Sequence, residues 1–242
     1  NKSLEIKPDY IQAYNSLGNV YFKKNDFEKA ILNFDKAIEL KPDYFEAFAN
    51  KANVYYKMQS YELALKNYES SISINQKYNV AHEGKARILK VLQKFDEAIL
   101  SWQNLLKIEP LNDIAHVQLG DLFFDKNILH MAIKHYETAL TIDPKKEYLH
   151  SNIILSKSKM CDWENFDERL ENLKTDILNN KKVSTPYSNL TFFDDPKLHY
   201  KAAKLWADEH IDEKKIEKIK LNKIKKKKIK IGYFSADFRK HA

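Results

Sequence analysis

The stretch IQAYNSLGNVYFKKNDFEKAILNFDKAIELKPDY, residues 11–44, decides the fold because its pattern returns three more times along the chain. The repeat length is 34 residues, and several columns of residues keep this step. The columns hold alanines (Ala30, Ala64, Ala98, Ala132), large aromatic residues (Phe34, Tyr68, Trp102, Tyr136), small residues (Gly18, Ala52, Ala86, Gly120) and prolines (Pro8, Pro42, Pro110, Pro144), with Gln76 at the one proline position that differs. Self-similarity at a period of this length is typical of a solenoid of repeated structural units.

Each copy of the repeat predicts two amphipathic helices joined by a polar turn. In the first helix Tyr14, Leu17 and Tyr21 fall at helical spacing, and the polar residues 24–26 follow. The second helix must end before Pro42, because proline cannot continue a helix. One helix pair cannot bury its own apolar face, so neighbouring copies must stack. The sequence therefore predicts an all-α solenoid.

The columns resemble the tetratricopeptide repeat, with a small residue at position 8, alanine at 20, an aromatic residue at 24 and proline at 32. The resemblance implies a right-handed α-solenoid. It divides the chain into a partial copy (1–10), full copies (11–44, 45–78, 79–112 and 113–146) and a degenerate capping pair (147–180), so that the chain is expected to begin inside an earlier repeat. At position 7, Lys51 and Lys85 replace the usual leucine, and we expect their stems to follow the apolar surface with the ammonium groups in water.

The composition of the 242 residues predicts a folded protein outside the membrane. Hydrophobic residues make up 43%, which suffices for a packed core. No stretch approaches the roughly 20 apolar residues of a membrane helix, and the N-terminus lacks a signal-peptide core. The single cysteine, Cys161, cannot form an internal disulfide, which fits a reducing compartment. We therefore expect a soluble cytoplasmic protein.

The net charge of +7 is concentrated in one lysine run. Ten lysines and one acid, Glu217, lie between Lys214 and Lys230. A nucleic-acid-binding domain spreads positive charge over a folded face, so nucleic acid is not the expected partner. The run favours a solvated linker, with a membrane-surface or nucleic-acid contact as the alternative.

The chain changes character after the repeats. Residues 181–196 contain two prolines and predict a loop that packs aromatic side chains, followed by a short helix near His199 and a lysine-rich linker up to residue 228. Residues 229–235 alternate and are rich in strand formers. Because so short a strand cannot stand alone, residues 229–242 are expected to begin an α/β lobe that continues beyond Ala242.

The closing motif resembles the junction of O-GlcNAc-transferase-like glycosyltransferases, where a tetratricopeptide array enters the first Rossmann-like lobe. The matching residues are Gly232, Tyr233, Ser235, Asp237, Phe238 and His241, with weaker matches in 161–163 and 185–207. The resemblance implies transfer of N-acetylglucosamine from UDP-GlcNAc to Ser or Thr of proteins, with His241 near the reacting centre. Such enzymes bind the nucleotide sugar mostly with their second lobe, so residues 1–242 are expected to be inactive and to need no cofactor. The alternative is a non-catalytic scaffold.

In a tetratricopeptide solenoid, positions 5, 6, 9 and 13 of the first helices line the concave surface. Asparagine suits this surface because its amide donates and accepts, and the transferases resembled above hold extended substrates with an asparagine ladder. The candidate peptide-binding residues are Asn15, Asn19, Lys23, Asn50, Asn53, Lys57, Arg87, Gln118, Asp121 and Asn152. The ladder is partial, because Ser16, Gly84 and Gln118 interrupt it at position 6. An extended peptide or protein is the expected partner. A carboxylate clamp is not expected, because Val80 and Gly84 occupy the places of its basic pair.

Three smaller features have a structural and a functional interpretation. His82, His116 and His150 recur every 34 residues, and one histidine per repeat is too widely spaced for a shared metal bonded at about 2 Å. We expect them to pack with a polar tip, and we predict no metal site. Cys161 is expected to be a buried small apolar group. Asn189 begins a glycosylation sequon, which is expected to be unused without a secretory signal.

Overall fold

The computed structural model describes residues 10–211, and in this part of the chain all regular secondary structure is helical. Its twelve helices are α1 (Ile11–Lys23), α2 (Phe27–Leu40), α3 (Phe45–Lys57), α4 (Tyr61–Ile74), α5 (Asn79–Val91), α6 (Phe95–Ile108), α7 (Asp113–Asp125), α8 (Leu129–Ile142), α9 (Leu149–Lys159), α10 (Phe166–Leu178), α11 (Pro186–Phe192) and α12 (Pro196–His210). Among these helices none combines the length and the apolar character needed to cross a bilayer. The lysine run and the strand predicted for residues 229–235 lie outside the described residues.

The first eight helices follow the 34-residue period without deviation. Helices α1, α3, α5 and α7 have 13 residues each and begin 34 residues apart, and the 14-residue helices α2, α4, α6 and α8 keep the same step. The Asp26 side chain accepts a hydrogen bond from the Lys29 amide and so caps the start of α2. Each second helix ends two residues before the proline column or Gln76. The predicted stack of helix pairs is confirmed.

A left-handed residue ends every one of these first helices at the same position. The column consists of Asn25, Gln59, Gln93 and Asn127, with φ of 58° or 59°. In the third repeat the Gln93 amide donates to the Lys90 carbonyl over 3.0 Å, and the Lys94 amide donates to the Leu89 carbonyl over 2.8 Å. These two bonds form a Schellman motif, which satisfies carbonyl groups that the helix end leaves free.

Replacing Gln93 by glycine is expected to stabilise the array by about 1 kcal/mol. A side chain in the left-handed region costs roughly 1–2 kcal/mol, and the higher unfolded-state entropy of glycine offsets part of the gain. Urea unfolding of the wild type and Gln93→Gly measures the difference. Lys24→Gly is the control, because Lys24 has a φ of −84° and gains nothing from glycine. Equal shifts in the two variants would contradict the prediction.

The alanine and aromatic columns form the core where the two helices of each pair cross. The four alanines are fully buried, and the four aromatic residues are at most 2% exposed. Two positions of the small column are glycine because aromatic rings lie directly on them. A Cβ atom on Gly18 would lie 2.6 Å from the Phe34 ring, and one on Gly120 would lie 2.4 Å from the Tyr136 ring. Both distances are below van der Waals contact, so a side chain at these positions would overlap the aromatic column.

The first helices form the inner layer of the stack. Helix α3 packs directly against both α1 and α5, whereas the described second helices of neighbouring repeats make no comparable contact with one another. The more closely packed layer of a curved stack is its inner one, so the contacts of α1, α3 and α5 indicate that the first helices of these three repeats line the concave surface.

Lys51 and Lys85 bury their stems as expected, but their ammonium groups are not surrounded by water alone. The two side chains are 17% and 24% exposed. Lys51 Nζ lies 2.5 Å from Asp35 Oδ1, and Lys85 Nζ lies 2.8 Å from Glu69 Oε1. Each ammonium group therefore pairs with an acid on the second helix of the preceding repeat, which corrects the sequence expectation.

After the fourth repeat the helices depart from the period. The turn between α9 and α10, residues 160–165, is twice as long as the three-residue turns within the four earlier helix pairs. Cys161 lies in this turn with a φ of 59° and is exposed, so the expectation of a buried cysteine is wrong. The reason is its phase, because Cys161 follows Asn127 by 34 residues and takes the left-handed position of the same surface turn.

A short helix, α11, occupies part of the segment that was expected to be a loop. Pro186 begins α11 and Pro196 begins α12, so both prolines start helices instead of interrupting them. Proline is favoured at this position because the N–H it lacks would have no partner there. The Thr185 side chain accepts from the Ser188 amide over 3.2 Å and completes the start of α11. The helix expected near His199 is present as α12.

Candidate functional site

The candidate peptide-binding residues lie on the inner helices of the repeats and on α9. They are Asn15, Asn19 and Lys23 on α1, Asn50, Asn53 and Lys57 on α3, Arg87 on α5, Gln118 and Asp121 on α7, and Asn152 on α9. We call the surface formed by positions 5, 6, 9 and 13 of α1, α3, α5 and α7 the groove. Its members meet across the boundaries between the first three repeats, because α3 packs against both α1 and α5.

Asn15 and Asn50 bridge the first two repeats. Asn50 Nδ2 donates to Asn15 Oδ1 over 3.0 Å. The Asn15 side chain also hydrogen-bonds the hydroxyl of Tyr44, whose pKa is raised by burial. Nδ2 of Asn50 bonds to Asn15, whereas Oδ1 of Asn50 accepts no hydrogen bond from the described residues. This oxygen is therefore available as an acceptor for a ligand.

The hydroxyl of Tyr68 fixes the amide of Asn53. It donates to Asn53 Oδ1 over 2.5 Å, and burial raises the pKa of Tyr68, so the phenol keeps its proton. With Oδ1 engaged, Asn53 has its Nδ2 donors to spare. Asn50 and Asn53 lie one turn apart on α3, so a spare acceptor and a spare donor are neighbours on one helix.

In the fourth repeat a tyrosine hydroxyl again bonds to the side chain at position 9, which here is a carboxylate. The Tyr136 hydroxyl donates to Asp121 Oδ1 over 3.0 Å, and Asn152 hydrogen-bonds that hydroxyl. Burial raises the pKa of Asp121, although Lys90, with Nζ 3.7 Å from Oδ2, favours the ionised form. Lys90 also donates to Gln118 Oε1 over 3.2 Å. Three of the candidate residues are thus engaged within the protein itself.

A pocket of about 160 Å³ opens in the groove between the second and third repeats. Tyr68 and Gly84 meet there so closely that a Cβ atom on Gly84 would lie 2.1 Å from Tyr68 Cζ. The position where Gly84 interrupts the asparagine ladder is therefore filled by an aromatic ring. Glu83 and Arg87 at the same pocket pair with each other, with Arg87 Nη2 2.5 Å from Glu83 Oε1.

The histidines pack with their polar tips on backbone carbonyls. Nε2 of His82 lies 2.9 Å from the Gln76 oxygen, and Nε2 of His116 lies 3.2 Å from the Pro110 oxygen. Nδ1 of His116 lies 2.9 Å from Nδ1 of His135, so one neutral ring donates and the other accepts. Burial lowers the pKa of His135 to about 4. Within residues 10–211 no cluster of three or more potential metal ligands is found.

Three further sequence features have distinct outcomes. Burial lowers the pKa of His150, whose Nδ1 has no hydrogen-bond partner among the described residues. Asn189 is completely buried, so the folded protein does not expose the sequon for modification. His241 lies outside the described residues.

The sequence analysis missed the residues that hold the groove amides in place, chiefly Tyr68 and Lys90. A signal was present in two repeats, because a hydroxyl at position 24 coincides there with an acceptor at position 9. Where position 24 carries a hydroxyl, at Tyr68 and Tyr136, position 9 is an acceptor that takes its hydrogen bond. Where position 24 is Phe34, position 9 is Asn19, for which no such bond is available.

The comparisons with known proteins agree with this architecture. A family model described as TPR repeat matches residues 18–59, and two described as tetratricopeptide repeat match 45–78 and 84–147. A crystal structure of MamA is similar, with 18% identity and a TM-score of 0.62 over 71% of this chain and 92% of that chain. YrrB, titled a TPR protein with an unusual peptide-binding site, has 19% identity and a TM-score of 0.62 over 84% and 96%. MamA from Desulfovibrio magneticus RS-1 has 14% identity and a TM-score of 0.59 over 67% and 92%. These identities show the fold alone, and no curated protein sequence matches the chain.

Proposed function

Because residues 18–78 and 84–147 consist of tetratricopeptide repeats, we propose that the protein holds an extended segment of a partner protein in its groove. The inner helices present amides and two exposed lysines, Lys23 and Lys57. YrrB, which shares the fold, is described as carrying a peptide-binding site. The protein is then an interaction scaffold in which the repeats supply the binding surface.

The observation that carries this proposal is the pair Asn50 and Asn53. An extended peptide brings backbone N–H and C=O groups that need partners when water is removed. Oδ1 of Asn50 can accept from such an N–H, and Nδ2 of Asn53 can donate to such a C=O. Tyr68 and Asn15 hold the two amides in these orientations before a peptide arrives, which lowers the entropic cost of binding.

The double replacement Asn50→Ala and Asn53→Ala tests the groove. The probe is a fluorescein-labelled peptide selected from a random twelve-residue library against the wild-type protein, with Kd measured by fluorescence anisotropy. We expect at least a tenfold rise in Kd, which corresponds to about 1.4 kcal/mol and to the loss of one or two hydrogen bonds.

Asn33→Ala is the matched control, because Asn33 lies on the outer helix α2 and bonds to the Lys29 carbonyl. Circular dichroism and thermal unfolding verify that every variant keeps the fold. An unchanged Kd in the double variant, or an equal loss in Asn33→Ala, would count against binding in the groove.

We also propose, from the resemblance of residues 232–241 alone, that the repeats belong to an O-GlcNAc-transferase-like enzyme with UDP-GlcNAc as donor and His241 near the reacting centre. The support is the sequence motif, which lies outside the described residues, and the comparisons do not bear on it. Transfer of labelled N-acetylglucosamine by the full natural reading frame, and its loss in His241→Ala, test the proposal. A full-length protein without transfer would leave the scaffold function alone. A cytoplasmic location and a linker role for the lysine run remain proposals of the same kind.

A further inference from the structure

The groove changes its charge along the repeats. In the first two repeats its charged residues are Lys23 and Lys57, both exposed and neither in an ion pair with a described residue. In the fourth repeat they are Asp121 and Asp125. Lys90 lies near Asp121, but Asp125 is exposed and forms no ion pair with a described residue. The groove is therefore basic at one end and acidic at the other.

The pocket at Gly84 lies between these two ends. Its volume of about 160 Å³ is close to that of cavities of about 150 Å³ that hold a benzene molecule. Tyr56 and Val80 supply apolar surface, and Val80 is 40% exposed and so available for contact. Glu83 and Arg87 neutralise each other at this pocket. Although Asn53 also lines the pocket, the charges balance, so the centre of the groove suits one uncharged side chain with an apolar body.

The spacing of the repeats sets the spacing that a bound chain must have. Neighbouring packed helices lie roughly 8–10 Å apart, and an extended chain advances about 3.3 Å per residue. One repeat therefore corresponds to about three peptide residues, and the span from the first to the fourth repeat corresponds to about nine.

We propose that the groove selects an extended peptide whose acidic residues lie over the first two repeats, whose apolar side chain enters the pocket at Gly84, and whose basic residues lie over the fourth repeat. This inference rests on the proposed function and names the chemistry of its partner. The charges supply orientation and selectivity, because partly exposed pairs across an interface act more on these than on total affinity. The pocket supplies the anchor, because buried apolar contacts dominate binding energy.

The probes are fluorescein-labelled ten-residue peptides with two aspartates at one end, a central leucine, two lysines at the other end and serines between. Two versions run in opposite chain directions, and a third has the same composition with the charges alternating. We expect one of the first two to bind at least tenfold more tightly than the alternating peptide at low salt, and this advantage should shrink at 0.5 M NaCl.

Charge reversal in the protein locates each end. Lys57→Glu should weaken the charge-separated peptide at least fivefold, and replacing the peptide aspartates by lysines should restore binding to this variant. Asp125→Lys should weaken the same peptide, and replacing the peptide lysines by aspartates should restore binding to this variant. Lys66→Glu, on the outer helix α4, is the control and should leave all affinities unchanged.

The outcomes separate the two proposals. If all three peptides bind equally and Asn50→Ala with Asn53→Ala weakens them all, the groove binds peptides but the inference on charge is overturned. If rescue by charge exchange fails while the wild type prefers one peptide, the assignment of Lys57 or Asp125 is overturned. If the asparagine variant changes no affinity, the proposed function fails as well.

Discussion

Lowering the pH from 7 to 4 is expected to reduce the free energy of unfolding by about 1–2 kcal/mol through His135, because solvent screens part of the effect at this half-buried ring. Burial lowers the pKa of this imidazole from its ordinary value of 6.5 to about 4, with His116 and Lys134 acting in the same direction. Above pH 6.5 the ring is neutral in both states. As the pH falls from 6.5 towards 4, His135 becomes protonated in the unfolded chain but stays neutral in the folded protein, so the free energy of unfolding decreases.

The surroundings of His135 explain why its imidazole stays neutral in the folded protein. Nε2 of His116 bonds to the Pro110 carbonyl and therefore carries hydrogen, which leaves Nδ1 of His116 as an acceptor for Nδ1–H of His135. The Phe123 ring stacks on His135 at 5.5 Å, which limits its access to water. Protonation would place a charge in this poorly hydrated site, which burial disfavours first and His116 and Lys134 disfavour in addition.

His135→Asn isolates this contribution. Asparagine retains an N–H donor near the place of Nδ1 but cannot take up a proton, so urea unfolding between pH 7 and pH 4 should show a smaller loss of stability than in the wild type. His130→Asn, at an exposed position on the same helix, is the control and should leave the loss unchanged. An identical pH dependence in the wild type and His135→Asn would contradict the prediction.

Gly84→Ala is expected to destabilise the protein by about 2 kcal/mol, although alanine favours helices by about 1 kcal/mol over glycine. Steric overlap outweighs propensity because the added Cβ atom would lie 2.1 Å from Tyr68 Cζ. The Tyr68 ring cannot move away cheaply, since it is 2% exposed and its hydroxyl is bonded to Asn53. A displaced ring would also release the Asn53 amide, so peptide affinity should fall together with stability.

Ser16→Ala is the matched control, because Ser16 occupies the same repeat position and already carries a Cβ atom. Its free energy of unfolding should stay within about 0.5 kcal/mol of the wild type. In a Tyr68→Ala background the overlap is gone, and Gly84→Ala should then be neutral or stabilising. A Gly84→Ala protein that is as stable as the wild type would show that the ring has room to shift.

The sequence predicted the fold closely for the four repeats and less well beyond them. Cys161 is one example. It continues the column of left-handed turn residues that includes Asn127, at position 15 of the repeat, but it was expected to be buried because of its residue type. Pro186 illustrates it again, since a proline indicates a helix start as readily as a loop when only local sequence is considered. In both cases the residue type was consistent with two structures and its neighbours selected one.

The sequence predicted which surface carries the candidate site. It did not predict which of the site residues form hydrogen bonds within the protein. The candidate residues lie on the first helices, but the engagement of Asn53, Asp121 and Gln118 by Tyr68, Tyr136 and Lys90 was not anticipated. Lys51 likewise differed from expectation, because its ion pair joins residues 16 positions apart on different repeats.

What the sequence determined by itself is the stack of helix pairs and the set of positions that face inward. A 34-residue period and helical spacing are local properties, and the burial of apolar faces requires each pair to pack on the next. The tertiary structure decided which polar groups remain available in the groove. Hydrogen bonds such as Asn50 to Asn15, 35 residues apart, depend on distances of a few tenths of an ångström between side chains of different repeats, and such distances are set only when the helices are packed.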